Sequence, residues 1–73
     1  MRVKVVAPFP TPGLEGDEIE LPERATVARL IQALRPPVYA HLLPVSVNGQ
    51  QATRRTRLHP GDLVVFLMPY QGG

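Results

Sequence analysis

The residues of this chain best placed to do chemistry are its last two, Gly72 and Gly73, which bring a carboxylate to the end of a stretch without side chains. They follow an apolar run, Leu63-Val64-Val65-Phe66-Leu67-Met68, and then Pro69, Tyr70 and Gln71. A glycine pair adds no packing and carries the largest ordering cost of any residue. Terminal residues are commonly frayed and tolerant of change. At about 7% glycine usage, two in a row arise by chance with a probability of roughly half a per cent. Their place just past a strand and a proline favours a functional role for the tail. The remaining residues are then read as a handle for it.

Other chemical candidates are weaker. There is no cysteine, so no disulfide, thiolate metal site or thiol nucleophile is available. Two histidines without cysteine argue against zinc, and no metal site is expected. His41 and His59 are isolated and read as surface or turn residues. Ser46, Thr11, Thr26, Thr53 and Thr56 have no base nearby in sequence. Asp62 follows Pro60-Gly61 and reads as turn chemistry, its carboxylate bonding local amides. Gly13, Gly16, Gly49 and Gly61 are too scattered for a phosphate loop. Arg54, Arg55 and Arg57 could grip phosphates or an acidic partner, or form a solvated turn. With so few aromatics to stack bases (Phe9, Tyr39, Phe66 and Tyr70), nucleic-acid binding is poorly supported and an acidic protein is the better partner.

Seventy-three residues make one domain, 1–73, with a small core and a flexible Gly-Gly tail from about 69 to 73. The formal charge of +2 is mildly basic rather than a nucleic-acid signature. The apolar runs are far too short for a membrane span, and no signal peptide is evident. A soluble cytoplasmic protein is expected. Nine prolines imply stiff loops and few long helices.

The elements that position the tail follow in order. Arg2 to Ala7 reads as a strand with Val3 and Val5 on one face and Lys4 on the other. Pro8, Pro10 and Pro12 stop it, and the linker through Asp17 is expected to be stiff and exposed. Glu18-Ile19-Glu20-Leu21 alternates as a second strand, ended by Pro22, with Ile19 and Leu21 inward. Thr26 is an N-cap candidate for a helix whose Val27, Leu30, Ile31 and Leu34 share one face, closed by Pro36-Pro37. Val38 to Leu43 is ambiguous, with a short helical turn packing Leu42 or Leu43 inward as one reading. Pro44 to Val47 is a third strand, Asn48-Gly49 a hairpin signal, and Gln50 to Thr53 a brief return. In the last strand, alternation places Val64, Phe66 and Met68 on one face and Leu63, Val65 and Leu67 on the other. One helix covers only one face of a sheet, so the second set is either an exposed binding row or an interior strand apolar on both sides. The order fits an α+β fold of ubiquitin-like β-grasp shape: a four- to five-stranded mixed sheet packed on one main helix.

Asn48-Gly49, Leu58-x-x-Gly61-Asp62, the apolar strand, Pro69 and Gly72-Gly73 together resemble the MoaD/ThiS family of sulfur carriers. The ending Phe66-Leu67-Met68-Pro69-Tyr70-Gln71-Gly72-Gly73 is similar to the molybdopterin-synthase small subunit (MoaD), whose tails commonly read Phe-Leu-Pro-Pro-x-x-Gly-Gly. Met68 stands where a first proline is usual. The resemblance implies that Gly73 is adenylated by a separate E1-like enzyme consuming ATP, and that a sulfur donor converts it to a thiocarboxylate for an acceptor synthase subunit. The chain would be a carrier and cosubstrate rather than an enzyme, with no bound cofactor. Gly72 would be a steric requirement, since glycine alone has no side chain to obstruct a narrow tunnel. Leu63, Val65 and Leu67 would form the docking surface, with Pro69 and Tyr70 as further partner contacts, and Pro69 would limit the conformations of the exit. Two alternatives stand beside this one. The same tail could form isopeptides as a ubiquitin-like modifier. Asp17 to Pro22 with Ala25-Thr26-Val27 is also similar to the small TGS domain of RNA-associated proteins.

Overall fold

The computed structural model describes residues 1–68, so the expectations placed on Pro69, Tyr70, Gly72 and Gly73, and on a flexible tail, lie outside the described residues. Five strands form one mixed sheet in the order β2-β1-β5-β3-β4, where β1 is Arg2–Val6, β2 Glu18–Glu20, β3 Val45–Val47, β4 Gln50–Ala52 and β5 Leu63–Phe66. The helix α1, Val27–Leu34, lies against one face. β5 sits centrally, parallel to β1 and antiparallel to β3. This is the β-grasp arrangement.

The helix forms as its pattern predicts. Thr26 is extended, and its Oγ1 accepts the Arg29 N–H at 3.4 Å. At the other end Arg35 takes a left-handed conformation, φ 50°, before Pro36. Val27, Leu30, Ile31 and Leu34 are all buried, and each contributes roughly 1.5–3 kcal/mol of apolar transfer. They pack with Val3, Val5, Ile19, Val64 and Phe66 from the sheet and with Leu21 just past β2.

Two stretches differ from expectation. The linker after β1 is not a fully exposed connection: Phe9 is buried, with its ring edge-on to Phe66 at 5.1 Å and to Tyr39 at 6.3 Å. The Gly13 N–H donates to the Leu34 carbonyl, so the linker folds back on the end of α1. Three prolines made it look like a surface connector, but the apolar area of one phenylalanine draws it inward. The segment Val38–Leu42 is a 3₁₀ helix in which Ala40 is buried, while Leu42 is 85% exposed. Leu43 is half-buried against the core, so of the two leucines only the second packs inward.

The hairpin Asn48-Gly49 has φ 53° and 83° at its two central residues, the signature of a type I′ turn that matches strand twist. Asp62 is buried, and its Oδ2 accepts the His59 N–H at 2.8 Å, as turn chemistry predicts. His41 and His59 are both exposed. Among the described residues no helix is long and apolar enough to cross a membrane, and no group of three His, Cys, Asp or Glu could hold a metal ion.

Candidate functional site

Because α1 covers only one side of the sheet, every second residue of each strand faces away from the core. On β5 the burial alternates accordingly. Val64 and Phe66 enter the core, whereas Leu63 is 39% exposed and Val65 half-buried. Leu67, just past the strand, is 45% exposed, and its N–H donates to the Pro44 carbonyl at 2.9 Å, holding the chain against β3. Leu63, Val65 and Leu67 therefore form the uncovered row on the strand that leads into the tail. Met68, expected on the core side, is 57% exposed. The ladder ends at Phe66 and Leu67 is still tied to Pro44, whereas Met68 lies beyond both and alternation has no hold on it.

The flanking strands complete this face. Lys4 pairs with Leu63 on one side and Glu18 on the other, while Val6 and Ser46 flank Val65. Val6 is 54% exposed and extends the apolar row onto β1. Toward the β2 edge the face becomes charged: Arg2 lies 3.3 Å from Glu18 and 3.5 Å from Glu20. An apolar stripe with a charged border on one side suits a protein interface better than a small-molecule pocket. Two cavities, of about 120 and 190 Å³, open beside β4, and neither is lined by Leu63, Val65 or Leu67.

Arg54, Arg55 and Arg57 lie elsewhere, at the N-terminal end of α1. The Arg54 and Thr56 carbonyls accept the Ala28 and Val27 N–H groups, and Arg57 bridges Thr26. The turn thus satisfies helix amides that would otherwise be orphaned. The Arg54 guanidinium donates to the His41 carbonyl, which tethers the 3₁₀ segment. Arg54 has a structural explanation, whereas Arg55 and Arg57 are exposed and make no ion pair among the described residues. The structure does not bring the arginines into the apolar row.

The sequence places Lys4 on the face opposite Val3 and Val5, as found, but gives no sign that it lies beside Leu63 or that Val6 lies beside Val65. Only the parallel β1–β5 pairing places them beside Leu63 and Val65, and strand pairing between the two ends of a chain leaves no local signal.

At the N-terminus the Met1 ammonium donates to Glu20 Oε2 at 2.6 Å and to the Leu21 carbonyl at 2.7 Å, with Glu23 Oε2 at 3.7 Å. The hydrogen bond to Glu20 raises the amine above its ordinary pKa, and the same bond lowers that of the Glu20 carboxyl.

The ThiS family model matches residues 6–73. Among solved structures the chain is similar to SAMP1 from Haloferax volcanii, with a TM-score of 0.67 and 19% identity over 100% of both chains. At that identity the likeness speaks for the fold. No curated protein matches the chain.

Proposed function

The chain belongs to the ThiS family, and from that membership we propose that it is a sulfur carrier whose reactive group is the Gly73 carboxylate. A separate E1-like enzyme binds ATP, and the carboxylate oxygen attacks the α-phosphate, expelling pyrophosphate and forming an acyl-adenylate. A carboxylate at neutral pH is a poor acyl donor, and AMP supplies the missing leaving group. A sulfur donor then displaces AMP, leaving a thiocarboxylate that passes sulfur to an acceptor. The chain contributes the acyl group and the docking surface, and its partner contributes the catalysis.

The observation that carries this reading is the uncovered row of Leu63, Val65 and Leu67 on the strand that runs toward Gly72-Gly73. A carrier has to be gripped by its body while its end enters another active site. An apolar face beside the exit allows that grip without involving the tail. Gly72 leaves the approach to the nucleotide free of side chains.

Deleting Gly73 tests the reading. The variant keeps its circular dichroism spectrum and loses ATP-dependent pyrophosphate release with the host's activating enzyme, whereas retained thiocarboxylation would sink the proposal. The ending Phe66-Leu67-Met68-Pro69 favours a molybdopterin synthase as acceptor. Thiocarboxylated protein mixed with the synthase large subunit and its precursor then yields the dithiolene product, and failure there with success in thiazole formation reassigns the pathway.

A further inference from the structure

An activated acyl group is open to attack by any amine that reaches it, so the carrier's own amines matter. The chain holds seven arginines, a single lysine and no cysteine. Guanidinium groups stay protonated and do not act as nucleophiles. Two primary amines remain, the Met1 α-amine and Lys4 Nζ. The Met1 amine is engaged by the Glu20 carboxylate and the Leu21 carbonyl, with the Glu23 carboxylate nearby. These contacts tie the amine to the end of β2, and the Glu20 hydrogen bond raises its pKa above the ordinary value.

Lys4 is placed differently. It is exposed in the middle of β1, on the face away from the helix, with Leu63 beside it on β5 and Glu18 beside it on β2. Glu18 is engaged by Arg2 at 3.3 Å, and no carboxylate forms an ion pair with Lys4 among the described residues. Neighbouring strands lie about 4.8 Å apart. A polypeptide attached at Lys4 therefore emerges beside Leu63, on the same face of the sheet.

We propose that Lys4 Nζ is the self-acylation site of this carrier, taking the activated Gly73 acyl group of a second copy, and that the adduct covers the docking row and withdraws the modified copy from activation. This rests on the adenylation of Gly73 put forward above. Lys4 Nζ attacks the Gly73 acyl carbon, a C–N bond forms, and the bond from that carbon to the phosphate oxygen breaks. AMP departs with the electron pair, and the amine's proton passes to solvent. No oxidant or reductant is required. The step competes with sulfur transfer and is favoured when the sulfur donor is scarce.

The test incubates the full chain with its activating enzyme and ATP, without sulfur donor, and reads intact mass and tryptic fragments. The expected result is a species of twice the chain mass less one water, its branch mapped to Lys4 and absent from Lys4→Arg. Purified, the branched species, in which only the copy modified at Lys4 keeps a free Gly73 carboxylate, supports pyrophosphate release at least tenfold more slowly than the unbranched chain. Adenylated Gly73 without a branched species, or a branch mapped to Met1, overturns the assignment of Lys4 while leaving the carrier chemistry standing. Equal rates for branched and unbranched chains overturn the blocking role. Absence of any adenylate removes the carrier reading and this inference with it.

Discussion

The Asn48 side-chain amide donates to Asp62 Oδ1 at 2.9 Å, joining the β3–β4 hairpin to the start of β5. The same side chain closes a second bond, its Oδ1 accepting the Leu63 N–H at 2.9 Å. Asp62 also accepts the His59 N–H, so one buried carboxylate organises the turn that launches β5. Asp62→Ala leaves donors unpartnered and lowers stability by about 1–3 kcal/mol. Urea unfolding measures it. A change within error would show that water replaces the carboxylate without cost.

Gly13 has a steric requirement rather than a conformational one. A Cβ added there would meet the Ala33 carbonyl oxygen at 2.0 Å. Gly13→Ala must push the linker off the end of α1 and is expected to cost about 1–3 kcal/mol, as overpacking does. The urea midpoint falls while the slope stays constant. Gly16→Ala, with nothing within 4 Å but φ 64°, isolates the cost of backbone strain for comparison.

Leu63→Asp and Leu67→Asp separate docking from folding. Both side chains are partly exposed, so the fold is kept while stability falls by about 1–2 kcal/mol. Activation falls tenfold or more, about 1.4 kcal/mol, through a raised apparent KM for the carrier. A steady-state pyrophosphate assay at varied carrier concentration reads the split. Unchanged kinetics would move the docking surface off this face.

The Met1–Glu20 pair predicts a shallow pH dependence of stability. The raised amine contributes fully below its unfolded value of about 8.0, and the contribution is lost as pH rises through the higher folded value. The lowered Glu20 carboxyl contributes above its unfolded value of about 4.5, and that is lost as pH falls through the lower folded value. Stability is therefore flat between these limits and declines outside them. Urea midpoints across pH 3–10 trace the curve, and Glu20→Gln flattens both declines. An undiminished slope in that variant would assign the dependence to other groups.

Much of the fold was legible because its signals are local. Thr26 and the Val27, Leu30, Ile31, Leu34 spacing fixed the helix, Asn48-Gly49 fixed the hairpin, and alternation in β5 separated Val64 and Phe66 from Leu63 and Val65. What escaped depends on contacts distant in sequence. Phe9 is drawn into the core by Phe66, and Ala40 rather than Leu42 turns inward because of how the 3₁₀ segment packs. Asn48 reads as a turn residue until β5 arrives beside it. Lys4 and Val6 join the candidate site only through parallel pairing with a strand nearly sixty residues later.

The central claim is most directly tested by the intact mass of the protein after incubation with host lysate, ATP and a sulfur donor. The carrier reading predicts a shift equal to replacement of one oxygen by sulfur, localised to Gly73 and absent without ATP. An unchanged mass, with a competent activating enzyme shown to be present, would contradict it and leave the apolar row as the surface of a non-covalent binding module.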